Sequence, residues 1–117
     1  GAEPVEMDAE THDWAAALVS HVPQLLSTAL ASAVWDETDE DGLPVSLAGK
    51  GFQDMTRLAA SPYEVWRDIC LTNSENISRA LERLEQKLER LRTQLRSKEL
   101  ADEFQKAWHL LDFARRK

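Results

Sequence analysis

Between Ala48 and Asn73 the chain reads AGKGFQDMTRLAASPYEVWRDICLTN, the densest run of chemically capable residues in its 117. Arg57 follows Gly49 and Gly51 by a few positions. A guanidinium offers a planar fork of donors that matches two oxygens at once, and glycines let backbone come close to such a ligand. Asp54 and Arg57 stand one helical turn apart, on a common face near Leu58. An anion site fits this pattern, and so does an ordinary exposed arginine on a surface helix. The residues alone leave both readings open. Upstream, His12-Asp13 and Ser20-His21 precede Pro23, which would place a hydroxyl and an imidazole at a weak point of an apolar helix.

Other chemistries fail on their templates. A His-Asp metal site of the phosphohydrolase kind needs further His and Asp from other helices, and beyond His12, Asp13 and His21 only His109 remains. The acidic stretch from Asp36 to Pro44 has a central Gly42 but lacks the closing Glu of a calcium loop, since position 47 is Leu. A solvated loop over 36–47 is expected, and no metal. Cys70, between Ile69 and Leu71, is expected to be a buried structural thiol. No Gly-rich turn follows a strand pattern, so no dinucleotide site is expected in this chain.

The elements that would carry these residues are all helical. Apolar positions from Trp14 through Leu18, Val22, Leu25, Leu26 and Leu30 to Ala33 recur at gaps of three and four, marking one long helix capped by Asp8 or Thr11. Pro23 lacks an N–H and its ring excludes the carbonyl of Val19, so the helix must kink or loosen beside Ser20 and His21. Ser61-Pro62-Tyr63-Glu64 reads as N-cap, first helical position and capping-box Glu of a short helix reaching Leu71. Asn73 caps a very long helix with a heptad seam at Ile77, Leu81, Leu84, Leu88, Leu91 and Leu95, supported by a Glu75–Arg79 pair. That seam suits an internal partner helix or a subunit interface. Ser97 restarts a last helix with Leu100, Phe104, Ala107, Trp108 and Leu111 on one side. The expected fold is therefore a single all-α domain over 1–117, with 1–7 as a loose lead-in.

Bulk properties narrow the partners. The net charge of −7 is uneven: residues 1–49 hold ten acids and no Lys or Arg, and the remainder sets fourteen bases against eleven acids, a balance of +3. An acidic half without a basic, aromatic-studded stripe makes nucleic acid an unsuitable partner. No uninterrupted apolar run of membrane-spanning length and no charged-then-apolar leader are seen, so no membrane role is expected. A lone cysteine suits a reducing, cytoplasmic setting. Gly1 in place of Met is expected of a piece of a longer protein.

Taken in order, His12-Asp13, Ser20-His21-x-Pro23, Ala48-Gly-x-Gly-Phe-x-Asp-x-Thr-Arg57-x-Ala-x-Ser61 and Trp66-Arg-Asp-Ile-x-x-x-Asn73 resemble the C-terminal helical domain of prephenate/arogenate dehydrogenases. The resemblance implies an intertwined homodimer whose helices supply much of the pocket for prephenate or arogenate. It also implies an NAD or NADP cofactor on an N-terminal dinucleotide domain that this chain lacks, so that the chain alone holds no catalytic residue and is inactive. On the family pattern Arg57 grips a substrate carboxylate, Ser20 and His21 line the pocket, and Trp66 forms a wall. Asp54 positions Arg57, Asp13 orients neighbouring polar groups, and Gly51, Gln53 and Gln24 face the ligand. Gln24 and Gln53 stand where many members have His and Lys or Arg, which makes the site less basic and would favour arogenate, with its extra ammonium. A non-catalytic helical interaction module and an aromatic-acid-binding regulatory domain are the alternatives; neither needs Ser20, His21 and Arg57 together.

Overall fold

A computed structural model describes residues 7–116, and every regular element among them is helical. The lead-in expected at 1–7 lies outside the described residues except for Met7. Helix α1 (Ala9–Ala16), a π turn (Ala17–His21) and helix α2 (Val22–Asp36) form one continuous run of 28 residues. Asp8 caps it: its carboxylate accepts the Thr11 N–H at 2.7 Å. That hydrogen bond holds the Asp8 carboxyl below its ordinary range.

The π turn is the loosening expected from Pro23. Val22 N–H reaches back five residues to the carbonyl of Ala17, so the ladder steps over the place where a proline cannot donate. One additional residue in the turn re-aims Ser20 and His21. By length and composition this run could cross a bilayer, an amendment to the absence expected from the sequence. Here it serves as the central helix of its unit. Two of its buried side chains are polar, Gln24 and Ser27, while Val19 and Trp35 lie exposed.

The acidic loop then ties itself together. Asp39 Oδ1 accepts the N–H groups of Asp41 and Leu43, and Gly42 takes the left-handed conformation, φ +81°, that closes the turn. A 3-10 turn (Val45–Leu47) leads to α3 (Lys50–Thr56) and a second 3-10 turn (Arg57–Ala60). Helix α4 (Tyr63–Thr72) begins one residue later than the sequence suggests, with Pro62 at the cap position and no side-chain cap from Ser61. The Ser61 backbone N–H closes the preceding turn on the Leu58 carbonyl at 3.0 Å.

Helix α5 (Ser74–Thr93) starts directly after Asn73, whose carbonyl accepts the Ile77 N–H at 3.0 Å. Helix α6 (Leu100–Arg116) follows. The chain divides into two compact units, 1–80 and 81–117. In the first, the buried apolar side chains are Ala17 and Val22 from the long run and Ile77 and Ala80 from the start of α5. Arg79 does not pair with Glu75; it donates to Asn76 Oδ1 at 3.0 Å and stacks 4.2 Å above the Trp14 ring. Cys70 is half-buried rather than enclosed.

In the second unit Lys87 of α5 meets Glu103 of α6 at 2.9 Å, with Arg90 at 3.4 Å. The heptad seam is only partly covered, since Leu84 and Leu91 are half-buried while Leu88 and Leu95 are exposed. The Lys87 ammonium holds the Glu103 carboxyl below its ordinary 4.5. A carboxyl depressed in the folded state stabilises the fold above its unfolded pKa and loses that contribution as pH falls through the folded value. Thermal melts of wild type and Glu103→Gln should therefore differ at neutral pH, begin to converge below about pH 4.5, and coincide once the pH is below the depressed folded value. A gap that persists in acid would show that the pair contributes nothing.

Candidate functional site

The residues that the sequence singles out fall into two groups. The first surrounds His21, which the π turn delivers to the start of α2. Trp66, from α4, meets the imidazole edge-on, with ring centroids 6.0 Å apart and planes at 79°. Asn73, at the α4–α5 bend, places its side-chain nitrogen 3.2 Å from His21 Nδ1 and 2.9 Å from the backbone carbonyl of Asp13. Asp13 thus engages its neighbours through its main chain, while its exposed carboxylate lies 3.3 Å from His12.

The second group lies on α3 and the turn that follows. Arg57 is 75% exposed and lies 3.6 Å from Asp54, which is 3.8 Å from Lys50 on its other side. Gln53 and Gly51 are exposed, and a Cβ at Gly49 or Gly51 would meet nothing within 4 Å. Within this chain, then, neither glycine is required by a tight turn or by a neighbour.

One side chain joins the groups. Gln24, 5% exposed and one turn beyond His21, donates through Nε2 to the Leu58 carbonyl at 2.8 Å, beside Arg57 in the chain. Its backbone carbonyl accepts the Thr28 hydroxyl at 3.0 Å. A charged histidine here would compete differently for that carbonyl; a neutral amide satisfies it without placing charge in a covered position.

Beside Gln24 a cleft of about 460 Å³ opens between α2, the Arg57–Ala60 turn and α4. Leu25, Ala59, Tyr63, Trp66 and Cys70 make its walls mainly apolar, with Gln24, Thr28 and Arg67 as polar points. The volume suits a small organic ligand. Of the eight candidate residues, Gln24 and Trp66 line this cleft, and His21 touches it through Trp66. Ser20, Gly51, Gln53, Asp54 and Arg57 do not line it. Among the described residues no cluster of three or more His, Cys, Asp or Glu side chains forms a metal site.

Asn73, Asn76 and Arg79 were not singled out as site residues from the sequence, where Asn73 reads as a cap and Arg79 as half of an ion pair. The legible signal is their spacing: three hydrogen-bonding side chains three residues apart, Asn73 at the α4–α5 bend and Asn76 and Arg79 at the start of α5.

Comparison with known proteins bears on this arrangement. Residues 8–109 match the family described as prephenate dehydrogenase, dimerization domain. A prephenate dehydrogenase of Bacillus subtilis is 32% identical over 89 residues, 76% of this chain and 24% of its own length. A cyclohexadienyl dehydrogenase of Zymomonas mobilis is 34% identical over 94 residues, 80% of this chain and 32% of its own. Among solved structures, A. aeolicus prephenate dehydrogenase in complex with hydroxyphenyl propionate and NAD+ superimposes with a TM-score of 0.83 at 30% identity, over 92% of this chain and 39% of that one. Synechocystis arogenate dehydrogenase gives 0.87 at 28% identity, over 97% and 43%. The chain therefore spans between a quarter and a third of the curated relatives' length.

Proposed function

This chain belongs to the prephenate dehydrogenase dimerization-domain family, and from that premise we propose that it is the substrate-binding and dimerising part of a prephenate or arogenate dehydrogenase of tyrosine biosynthesis in the cytoplasm. The reaction is an oxidative decarboxylation: a ring hydroxyl gives up its proton, the carbon that bears it gives up a hydride, the bond from the ring to a carboxylate breaks to release CO2, and the ring becomes aromatic. NAD or NADP takes the hydride on a dinucleotide domain outside these residues. The described helices offer no strand followed by a Gly-rich turn on which to hold it.

The observation that carries the reading is the meeting of His21 and Trp66 beside the apolar cleft that Gln24 borders. Imidazole and aromatic walls suit a six-membered ring bearing an oxygen. Arg57, exposed and partnered by Asp54 at 3.6 Å, is the cation for an acidic substituent. Ser20, Gly51, Gln53 and Asp54 complete the ligand-facing set when the site is closed by a second subunit or the nucleotide domain.

Dimerisation accords with the family's description as a dimerization domain and with the large apolar side chains left exposed along α6, Phe104, Trp108 and Leu111.

Calorimetric titration with hydroxyphenyl propionate tests the site. Wild type should bind, and Arg57→Ala should bind about 10- to 100-fold more weakly, the effect of losing one hydrogen bond to a charged group. Unchanged affinity would remove Arg57 from the site. No binding by the wild-type dimer would favour a plain interaction module. Steady-state rates with prephenate and arogenate on the intact enzyme decide which substrate the less basic site takes.

A further inference from the structure

A directional hydrogen-bond chain runs from Arg79 to His21. Arg79, which has no acceptor, donates to Asn76 Oδ1 at 3.0 Å. The Asn76 amide must therefore turn its nitrogen the other way, where it lies 2.9 Å from Asn73 Oδ1. With its oxygen so engaged, Asn73 turns its own nitrogen toward the Asp13 carbonyl at 2.9 Å and His21 Nδ1 at 3.2 Å. The Asp13 carbonyl cannot donate, so it fixes the same orientation from the opposite end. Two anchors of unambiguous polarity, a guanidinium and a carbonyl, leave neither amide free to flip. The two N–H bonds of Asn73 are then shared between Asp13 and His21, and His21 Nδ1 can only accept.

We infer that Asn73 is a positioning residue that fixes neutral His21 with its proton on Nε2, so that this nitrogen donates a hydrogen bond to an oxygen of the ligand. Among the described residues no hydrogen bond occupies Nε2. The donation to a ligand rests on His21 lining the substrate site as proposed above; the tautomer itself does not. The site thereby discriminates for an acceptor oxygen, a hydroxyl, carbonyl or carboxylate, at the His21 end. Arg79 is held in place by its stacking on Trp14, so the polarity of the chain is set outside the site.

Long-range 15N–1H NMR of the protein, well above the ordinary imidazole pKa of about 6.5, reads the tautomer directly. Wild-type His21 should show a protonated Nε2 and a bare Nδ1, with a coupling across the hydrogen bond to the Asn73 side-chain nitrogen. Asn73→Asp replaces the donor by an acceptor and should move the proton to Nδ1; Asn73→Ala should relax the ring to the ratio of a solvated imidazole. A wild-type ring protonated on Nδ1, or the same tautomer in a folded Asn73→Asp protein, overturns the assignment. Should Asn73→Asp fail to fold, the cross-hydrogen-bond coupling in wild type decides alone, and its absence overturns the assignment. Hydroxyphenyl propionate should then shift the Nε2–H resonance. An unmoved resonance with the tautomer intact overturns the donation to ligand and leaves the role of Asn73 standing.

Discussion

Trp108→Glu should convert the proposed dimer into a monomer, seen as a halving of mass in light scattering with helicity retained. Trp108 is 66% exposed on α6, and Phe104 and Leu111 on the same side are 56% and 60% exposed. Leu88 and Leu95 of α5 add 53% and 68%. Large apolar side chains left open in this way mark a surface that a partner covers. Across a twofold interface each substitution appears twice, so two carboxylates would be buried without partners. The desolvation penalty is several kcal/mol per ion, enough to raise the dimer dissociation constant by about a thousandfold or more. A Trp108→Glu protein that stays dimeric at micromolar concentration would place the interface elsewhere.

Ile77→Ala should be the most damaging truncation within the first unit. Ile77 is 5% exposed, and the other buried apolar residues are Ala17, Val22 and Ala80, all smaller. Removing three carbons from the largest member of so small a core costs about 2–5 kcal/mol, through lost transfer energy and the cavity left behind. A domain of this size loses roughly 4–8 °C in Tm per kcal/mol, so the midpoint should fall by about 10 °C or more. Ile77 lies in the first turn of α5, between Asn73 at the bend and Arg79, so ligand affinity should weaken as well. A drop of only a degree or two would mean that the site collapses around the smaller side chain or that the dimer carries the stability.

The sequence by itself determined the helices, because their signals are local. Gaps of three and four from Trp14 to Ala33, the cap at Asp8 and the heptads after Asn73 each depend on residues within a turn or two. Pro23 announced a kink or loosening of its helix for the same reason, since a missing N–H disturbs its own ladder and no other, and the structure gives that loosening the form of a π turn. Family membership was legible too, in four short motifs spread from His12 to Asn73. Only the tertiary structure decided which candidates meet. His21 and Trp66 come together across 45 residues of chain, whereas Arg57, beside the glycines, turns to Asp54 and stays exposed. Gln24 ties two segments through a backbone carbonyl, and a carbonyl leaves no mark in a sequence. Asn73 likewise reads as a cap until its amide is seen between Asp13 and His21. Side-chain amides accept and donate with equal ease, so their role is fixed by what surrounds them in space, and that is information no local pattern holds.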